Sequence, residues 1–516
     1  MHDDERRLAQ LGYKQELQRS WSAFSNFAIS FSIISILAGC FTTFAHAWNN
    51  GGPIAITWGW PLISGFILII GFCLAELVSA YPTAGGIYWW AAHLGGPRAG
   101  FYAGWLNLIG LIAVTASVVY ACATFMNVTL GLFSTTWSAS FGGDPLLQAF
   151  ALFIALMVVV ALVNIFSSQR LAVVNDISAY WHVFGSAAIV LILLLTAKEY
   201  QSASFVFTGT INNSGFSDNM FWWYVLPLGF LLTQYTITGF DASAHLSEET
   251  HDAATSAARG LWQSIFYSAI GGWILLLAFL LVAKDVAFIN DPKNGFGSGQ
   301  ITAVFASALS PAMFKIVMLI STIGQVFCSI ACMTSSSRML FAFSRDGAVP
   351  GSKWWSTVHP RTCVPIHAVL ISSVLAVLIT LPALYRSPAG IPVAFYAVVS
   401  IAVIGLYLAF LIPIFLRLKI GVAFMPGPWT LGRHYRWMCA TAVAEIAVIS
   451  VYFCLPFVPS AVPFHPGFSW YDVNYAPILT GGVVILITLW WYASARHWYT
   501  GPIRTTARQE EMESVR

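Results

Sequence analysis

Twelve apolar stretches of 20 residues or more recur along the whole chain, separated by short polar segments. They lie near 24–47, 56–80, 100–133, 146–166, 171–196, 220–246, 260–283, 312–343, 366–385, 391–418, 437–458 and 475–498. About 20 apolar residues in a helix span the hydrocarbon core of a bilayer. In that solvent a chain must satisfy its backbone inside helices or a closed barrel. Only 9% of the residues are charged, against about 25% in soluble domains, too few to cover a water-exposed surface of this size. The expected fold class is an all-α polytopic membrane protein with twelve transmembrane helices, in contact with the lipid bilayer.

An even number of spans places both termini on one side. With the N-terminus inside, 19 of the 24 Lys and Arg residues fall in inner segments. The outer segments hold Lys198, Lys284, Lys293, Lys315 and Arg386. The positive-inside rule then predicts both termini in the cytoplasm, for a multi-pass protein of the plasma (inner) membrane. Residues 1–20 are polar and lack an apolar core with a cleavage site, so they read as a cytoplasmic tail rather than a signal peptide. Residues 499–516 read as a second cytoplasmic tail. The segment 285–311 predicts a short amphipathic helix over the outer mouth, and Ser344–Pro365 a polar cytoplasmic linker.

The net charge of +3 gives no reason to expect a nucleic-acid partner. The eight cysteines are scattered and form no CxxC pair. Cys328 and Cys332 share a helix face, but a metal site needs further ligands nearby, so they read as packing residues. No metal or other cofactor is expected.

Two stretches carry the chemistry. The first has Ser32, Ser35, Ala38, Gly39, Thr42 and Thr43 where lipid-facing leucines would be expected. The sixth has Thr236-Ile237-Thr238-Gly239 followed by Phe240 and Asp241. Glycine inside a helix costs about 0.5–1 kcal/mol relative to alanine, and a charge at bilayer depth costs a few kcal/mol more. Such costs persist where broken backbone lines a cavity, and paired interruptions in two halves mark a transporter site. Stretches one and six open two five-helix units, and an odd number of spans per unit forces inverted topology. The alternative is that small residues simply let helices pack closely.

The segments "LGYKQELQRSWSAFSNFAISFSIIS" (Leu11–Ser35), "YPTAGGIYWW" (Tyr81–Trp90), "GFDASAHLSEET" (Gly239–Thr250) and "SSSRMLFAFSRDGAVP" (Ser335–Pro350) resemble, in this order, the amino acid–polyamine–organocation superfamily. They are closest to its amino acid/choline branch, which includes GABA permeases. The resemblance covers essentially the whole chain. It implies a LeuT-type fold with a first inverted repeat in 21–200, a second in 201–420, and two further helices in 421–498, working by alternating access. It also implies a permease, not an enzyme, for GABA or another small amino acid. Polyamine or choline transport, or amino-acid exchange, is the alternative.

Residue by residue, the resemblance places a substrate carboxylate at the unwound backbone of the first helix, around Ser35 and Ala38, Gly39, Cys40 and Phe41. The family usually writes Gly-Ser-Gly there, and this chain keeps only the second glycine. The amine falls at Thr236, Thr238 and Gly239, with the aromatics Tyr235 and Phe240 flanking the site. Asp241 is open to three roles: amine contact, helix cap or gating. In proton-coupled relatives a lysine often stands where this chain has His182. That histidine is a candidate for proton coupling near neutral pH or a neutral ring donating one hydrogen bond. Ser329 and Thr334 are candidates for a sodium site instead. Glu76, Glu248 and Arg338 read as gating or structural groups, with Glu76 expected to pair with an inner arginine such as Arg338. Glu445 reads as a packing or dimer residue, and the protein as a monomer or homodimer.

Other functions fare worse. A channel would show repeated filter residues, an intramembrane enzyme would show paired catalytic motifs, and a primary pump would show a phosphate loop. None of these patterns is present in the sequence.

Overall fold

A computed structural model describes residues 3–295, 299–384 and 393–503. Arg386, residues 296–298 of the predicted outer helix segment, the first two residues of the stretch at 391–418, and the tail from 504 with Arg504, Arg508 and Arg516 lie outside the described residues.

Among the described residues the regular structure is helical apart from one two-residue strand pair, Asn50–Gly51 with Ile211–Asn212, which is antiparallel. In chain order the helices that matter here begin with α1 (Ala23–Ile34), α2 (Ile36–Thr42), α3 (Phe44–Asn49), α4 (Gly59–Ala80), α5 (Gly86–Gly95) and α6 (Pro97–Phe133). Next come α7 (Pro145–Phe166), α8 (Ser168–Thr196), α9 (Leu231–Thr236), α10 (Ala242–His245), α11 (Ala253–Val282) and α12 (Gln300–Ala308). The last are α13 (Pro311–Arg345), α14 (Ile366–Thr380), α15 (Val393–Ile420), α16 (Tyr435–Tyr452) and α17 (Ala476–Ala493).

Local sequence sets the helix starts. Ser22, Asp144, Ser167 and Ser310 each accept a hydrogen bond from a first-turn amide, the usual N-cap arrangement. Pro145 and Pro311 follow two of these caps, where their missing N–H costs nothing.

Among the described residues, ten helices are long and apolar enough to cross a membrane. The two stretches that fall short do so for visible reasons. The sixth is cut into short pieces around 237–241. The eleventh, α16, carries Arg436 and Glu445 within its 18 residues. The predicted outer helix is present as α12.

The long helix α6 sits at the centre, packed on α13 and α15, while α11 packs on α1 and α4. The peripheral helices α7, α8, α14 and α17 turn large apolar side chains outward, among them Leu162, Phe184, Val374 and Leu489. Such a girdle would drive aggregation in water and is what a lipid solvent requires.

The N-terminal segment is not a free tail. It forms a helix at Asp3–Gln10, and Leu8, Tyr13, Leu17 and Trp21 are all buried against one face of the bundle. Those apolar residues, spaced among the charges, give the segment a side to bury.

Candidate functional site

The two interrupted stretches meet. α1 stops at Ser35, which takes left-handed backbone (φ 34°, ψ 82°), and α2 begins at the next residue. The interruption therefore falls one turn before Gly39, which lies inside α2. On the facing stretch α9 ends at Thr236, Ile237 leaves the helix (φ −90°, ψ 64°), and Gly239 is left-handed (φ 81°). α10 resumes at Ala242.

Gly39 serves a close approach rather than a turn. A Cβ there would overlap the side chain of Thr236, and a Cβ at Gly239 would strike Ile33. The two interruptions are thus pressed together through positions with no side chain.

Between them lies a cavity lined by Ile33, Ile34, Ala38, Gly39 and Thr42 from one stretch and Tyr235, Thr236 and Thr238 from the other. Val114, Val118 and Ala121 of α6 and Cys328 of α13 complete it. Its volume is about 20 Å³, room for roughly one water. Anything larger than a water enters only if the surrounding helices part.

Of the residues singled out in the sequence, the cavity gathers Ala38, Gly39, Tyr235, Thr236 and Thr238. Ser35 forms the break beside it. Cys40 is buried away from it, Phe41 packs on Phe125, Phe279 and Phe305, and Phe240 packs on Phe410. Sequence reasoning missed Ile33, Ile34, Val114, Val118, Ala121 and Cys328, which are ordinary apolar or small residues with no signal beyond burial. It did note Thr42 among the small and polar residues of its stretch, without assigning it to the site.

Side-chain bonds hold the broken backbone. Ser30 Oγ donates to the Phe240 carbonyl at 2.8 Å and accepts from the Ser243 amide at 3.0 Å. Asn26 Nδ2 donates to the Ser243 carbonyl at 3.0 Å and to Thr250 Oγ1 at 2.8 Å. Tyr407 OH of α15 donates to the Ile237 carbonyl at 3.2 Å. α1 and α10 are therefore joined as one unit.

His182 is fully buried and anchors the other break. Its Nδ1 lies 2.7 Å from the Ser178 carbonyl and its Nε2 2.7 Å from Ser35 Oγ. A neutral ring satisfies both, donating from Nδ1 and accepting the serine hydroxyl at Nε2. Ser329 and Thr334, the sodium-site candidates, donate to the Gln325 carbonyl and to Asn164 Oδ1, both at 2.8 Å.

The helix-cap reading of Asp241 does not fit the geometry. Its side chain makes no capping hydrogen bond to α10. Its Oδ2 instead lies 3.2 Å from His245 Nε2 and 3.2 Å from Asn107 Nδ2, with both partners buried.

The face carrying the N-terminal segment is sealed by ion pairs. Arg338 pairs with Glu249 at 2.8 Å and Arg345 with Glu248 at 2.8 Å. The expected pairing of Glu76 with Arg338 is corrected: Glu76 pairs with Arg417 at 2.7 Å. It also accepts from Thr430 Oγ1 and the Leu431 amide. The late segment 429–431 folds back over α4, which spacing alone does not reveal. Trp21 Nε1 donates to Ser168 Oγ at 2.9 Å, and Ser168 in turn donates to Glu249. Burial pushes the Glu248 carboxyl up, but the Arg345 guanidinium and the donating Ala84 amide outweigh it and hold the group below its ordinary range. Tyr13 and Tyr88 both donate to Asp346, at 2.8 and 2.6 Å.

Comparison with known proteins agrees with this architecture. The family model described as amino acid permease matches residues 22–484. The chain is 38% identical over 509 residues to the amino-acid permease BAT1 of Arabidopsis thaliana, covering 96% of each. It is also 38% identical to the BAT1 homolog of Oryza sativa subsp. japonica, covering 96% of this chain and 95% of the relative. To the GABA-specific permease of Saccharomyces cerevisiae it is 28% identical, covering 99% of this chain and 88% of that one. The chain belongs to the amino acid permease family.

Proposed function

We propose that this protein is a secondary active transporter that moves GABA or another small amino acid across the plasma membrane by alternating access, in symport with protons. In this reading the sixth and eleventh stretches also span, giving twelve helices in a LeuT-type arrangement. The inverted repeats occupy 21–200 and 201–420, two more helices lie in 421–498, and both termini are cytoplasmic.

The observation that carries it is the cavity between two interrupted helices, with Gly39 set against Thr236. Interrupted helices inside a bilayer are tolerated where they line a cavity, and there they bind substrate through exposed backbone. The substrate-binding residues are Ala38, Gly39, Tyr235, Thr236 and Thr238, with Ser35 setting the break. The contracted cavity, sealed on the N-terminal side by the Arg338–Glu249 and Arg345–Glu248 pairs, is one state of the cycle. The name of the yeast relative supports GABA as the first substrate to test.

The test is uptake by the full-length protein in proteoliposomes, using labelled GABA, arginine, alanine, putrescine and choline. A proton gradient is imposed alone, then a sodium gradient alone. Proton-driven accumulation of an amino acid is the expected result. Uptake of only putrescine or choline, or uptake only with substrate preloaded inside, would contradict the reading.

A further inference from the structure

The Asp241–His245 contact raises a proton-counting question. His245 Nδ1 lies 3.0 Å from the Ala84 carbonyl, which only accepts, so Nδ1 carries a hydrogen. Nε2 then faces Asp241 Oδ2 at 3.2 Å. With a neutral imidazole and an ionised carboxyl, two lone pairs would oppose each other at a site where both side chains are 0% exposed. The contact is attractive only if one more proton lies between them, on Nε2 or on Oδ2.

Two further observations bear on the site. Asp241 Oδ1 is buried without a hydrogen-bond partner, so little besides the His245 contact and the Asn107 amide compensates the carboxyl. An uncompensated charge at this depth is costly. α10 packs on α1, α11, α13 and the turn Ser247–Glu249, and the pair is also reached by the neutral Asn107 of α6 and the backbone of Ala84. α1 contributes only Asn26 and Ser30. α11 contributes Arg259, which is exposed. From α13, Cys332 lies within electrostatic reach, as does Tyr407 of α15. Glu248 and Glu249 are already paired with Arg345 and Arg338.

We propose that Asp241 and His245 form a proton-binding site, and that the single proton they share is the one carried with the substrate. This rests on the proton-symport reading above and assigns its proton to this pair rather than to His182. Asp241 closes the cavity-side break that begins at Ile237 and passes through Gly239. His245 reaches the Ala84 carbonyl, and Ala84 donates its amide to the gate carboxylate Glu248 at 2.9 Å. Proton occupancy is thereby connected both to the substrate cavity and to the sealed face.

The experiment uses the full chain in proteoliposomes, as wild type and His245→Asn. Two readouts are taken: uptake driven by an inward proton gradient, and counterflow with substrate on both sides and no gradient. The stimulation by the gradient should fall by about tenfold in the variant, within the usual range of coupling between two ligands. The apparent KM should also lose its pH dependence, while counterflow stays measurable. A variant with wild-type stimulation and pH profile overturns the assignment and leaves proton symport standing. A wild type that ignores the gradient overturns both. A second measurement does not depend on the variant folding. Substrate added to weakly buffered wild-type protein should change proton binding by roughly a fraction of one proton that varies with pH, and no change across the pH range overturns the site.

Discussion

Gly39 and Gly239 are glycines for different reasons. Gly239 holds left-handed backbone at φ 81°, which costs an L-residue roughly 1–2 kcal/mol. Gly39 has ordinary helical backbone and is small because Thr236 presses on it. Gly39→Ala should therefore destabilise the protein by about 1–3 kcal/mol through overpacking, and Thr236→Ala should recover most of that loss in the double variant. Gly239→Ala should not be recovered by trimming Ile33 alone. Thermal unfolding in detergent measures all of these. Glu445 gives a contrasting prediction. Its carboxyl is buried and faces the neutral Gln234 amide rather than a cation. Replacing it by an apolar residue of similar size removes an uncompensated group, so Glu445→Met should leave the melting temperature unchanged or raise it. At this scale the sequence disclosed that glycine matters at both positions. It did not disclose that Ser35 would take the left-handed turn, because the backbone freedom of a serine depends on what surrounds it, here His182.

α1 and α10 behave as one element joined by Ser30, Ser243 and Asn26. The Ser30 and Ser243 hydroxyls lie 2.7 Å apart, so a double-mutant cycle on Ser30→Ala and Ser243→Ala should show coupling of about 0.5–3 kcal/mol, read as stability, and either single variant should slow transport. The buried Arg338–Glu249 pair obeys a sharper rule. Arg338→Gln leaves the Glu249 carboxylate buried without its cation and with the Ser168 hydroxyl still donating to it, at a cost of about 3–5 kcal/mol, whereas Arg338→Met with Glu249→Leu should lose less. The order of the apolar stretches was legible because membrane-span length is written directly in composition. The ion pairs were not, since Arg338 and Glu249 are 89 residues apart and only the fold chooses between Glu249 and Glu76. The i,i+4 spacing of Asp241 and His245 was visible in the sequence. Its meaning depended on Ala84, from a loop 161 residues away.

At the scale of the molecule, the outward apolar girdle and the sealed N-terminal face belong, in the proposed function, to one state of the transport cycle. Glu248 helps to hold that state, and the sign of its contribution follows from its lowered value. The stabilisation is present above the ordinary carboxylate value of 4.5 and is lost only as pH falls through the lower folded value. From about pH 5 to 8 the group stays ionised. Glu248→Gln should therefore reduce transport without changing the shape of its pH profile in that window, as initial rates across the range would report. The central claim is that an amino acid binds in the cavity between the two interrupted helices. Equilibrium binding of the transported amino acid to purified wild-type and Ala121→Leu protein tests it most directly. Ala121 lines the cavity from α6, so the added side chain should weaken binding by about tenfold or more, ~1.4 kcal/mol, in protein that stays monodisperse. Wild-type affinity in that folded variant would place the substrate elsewhere.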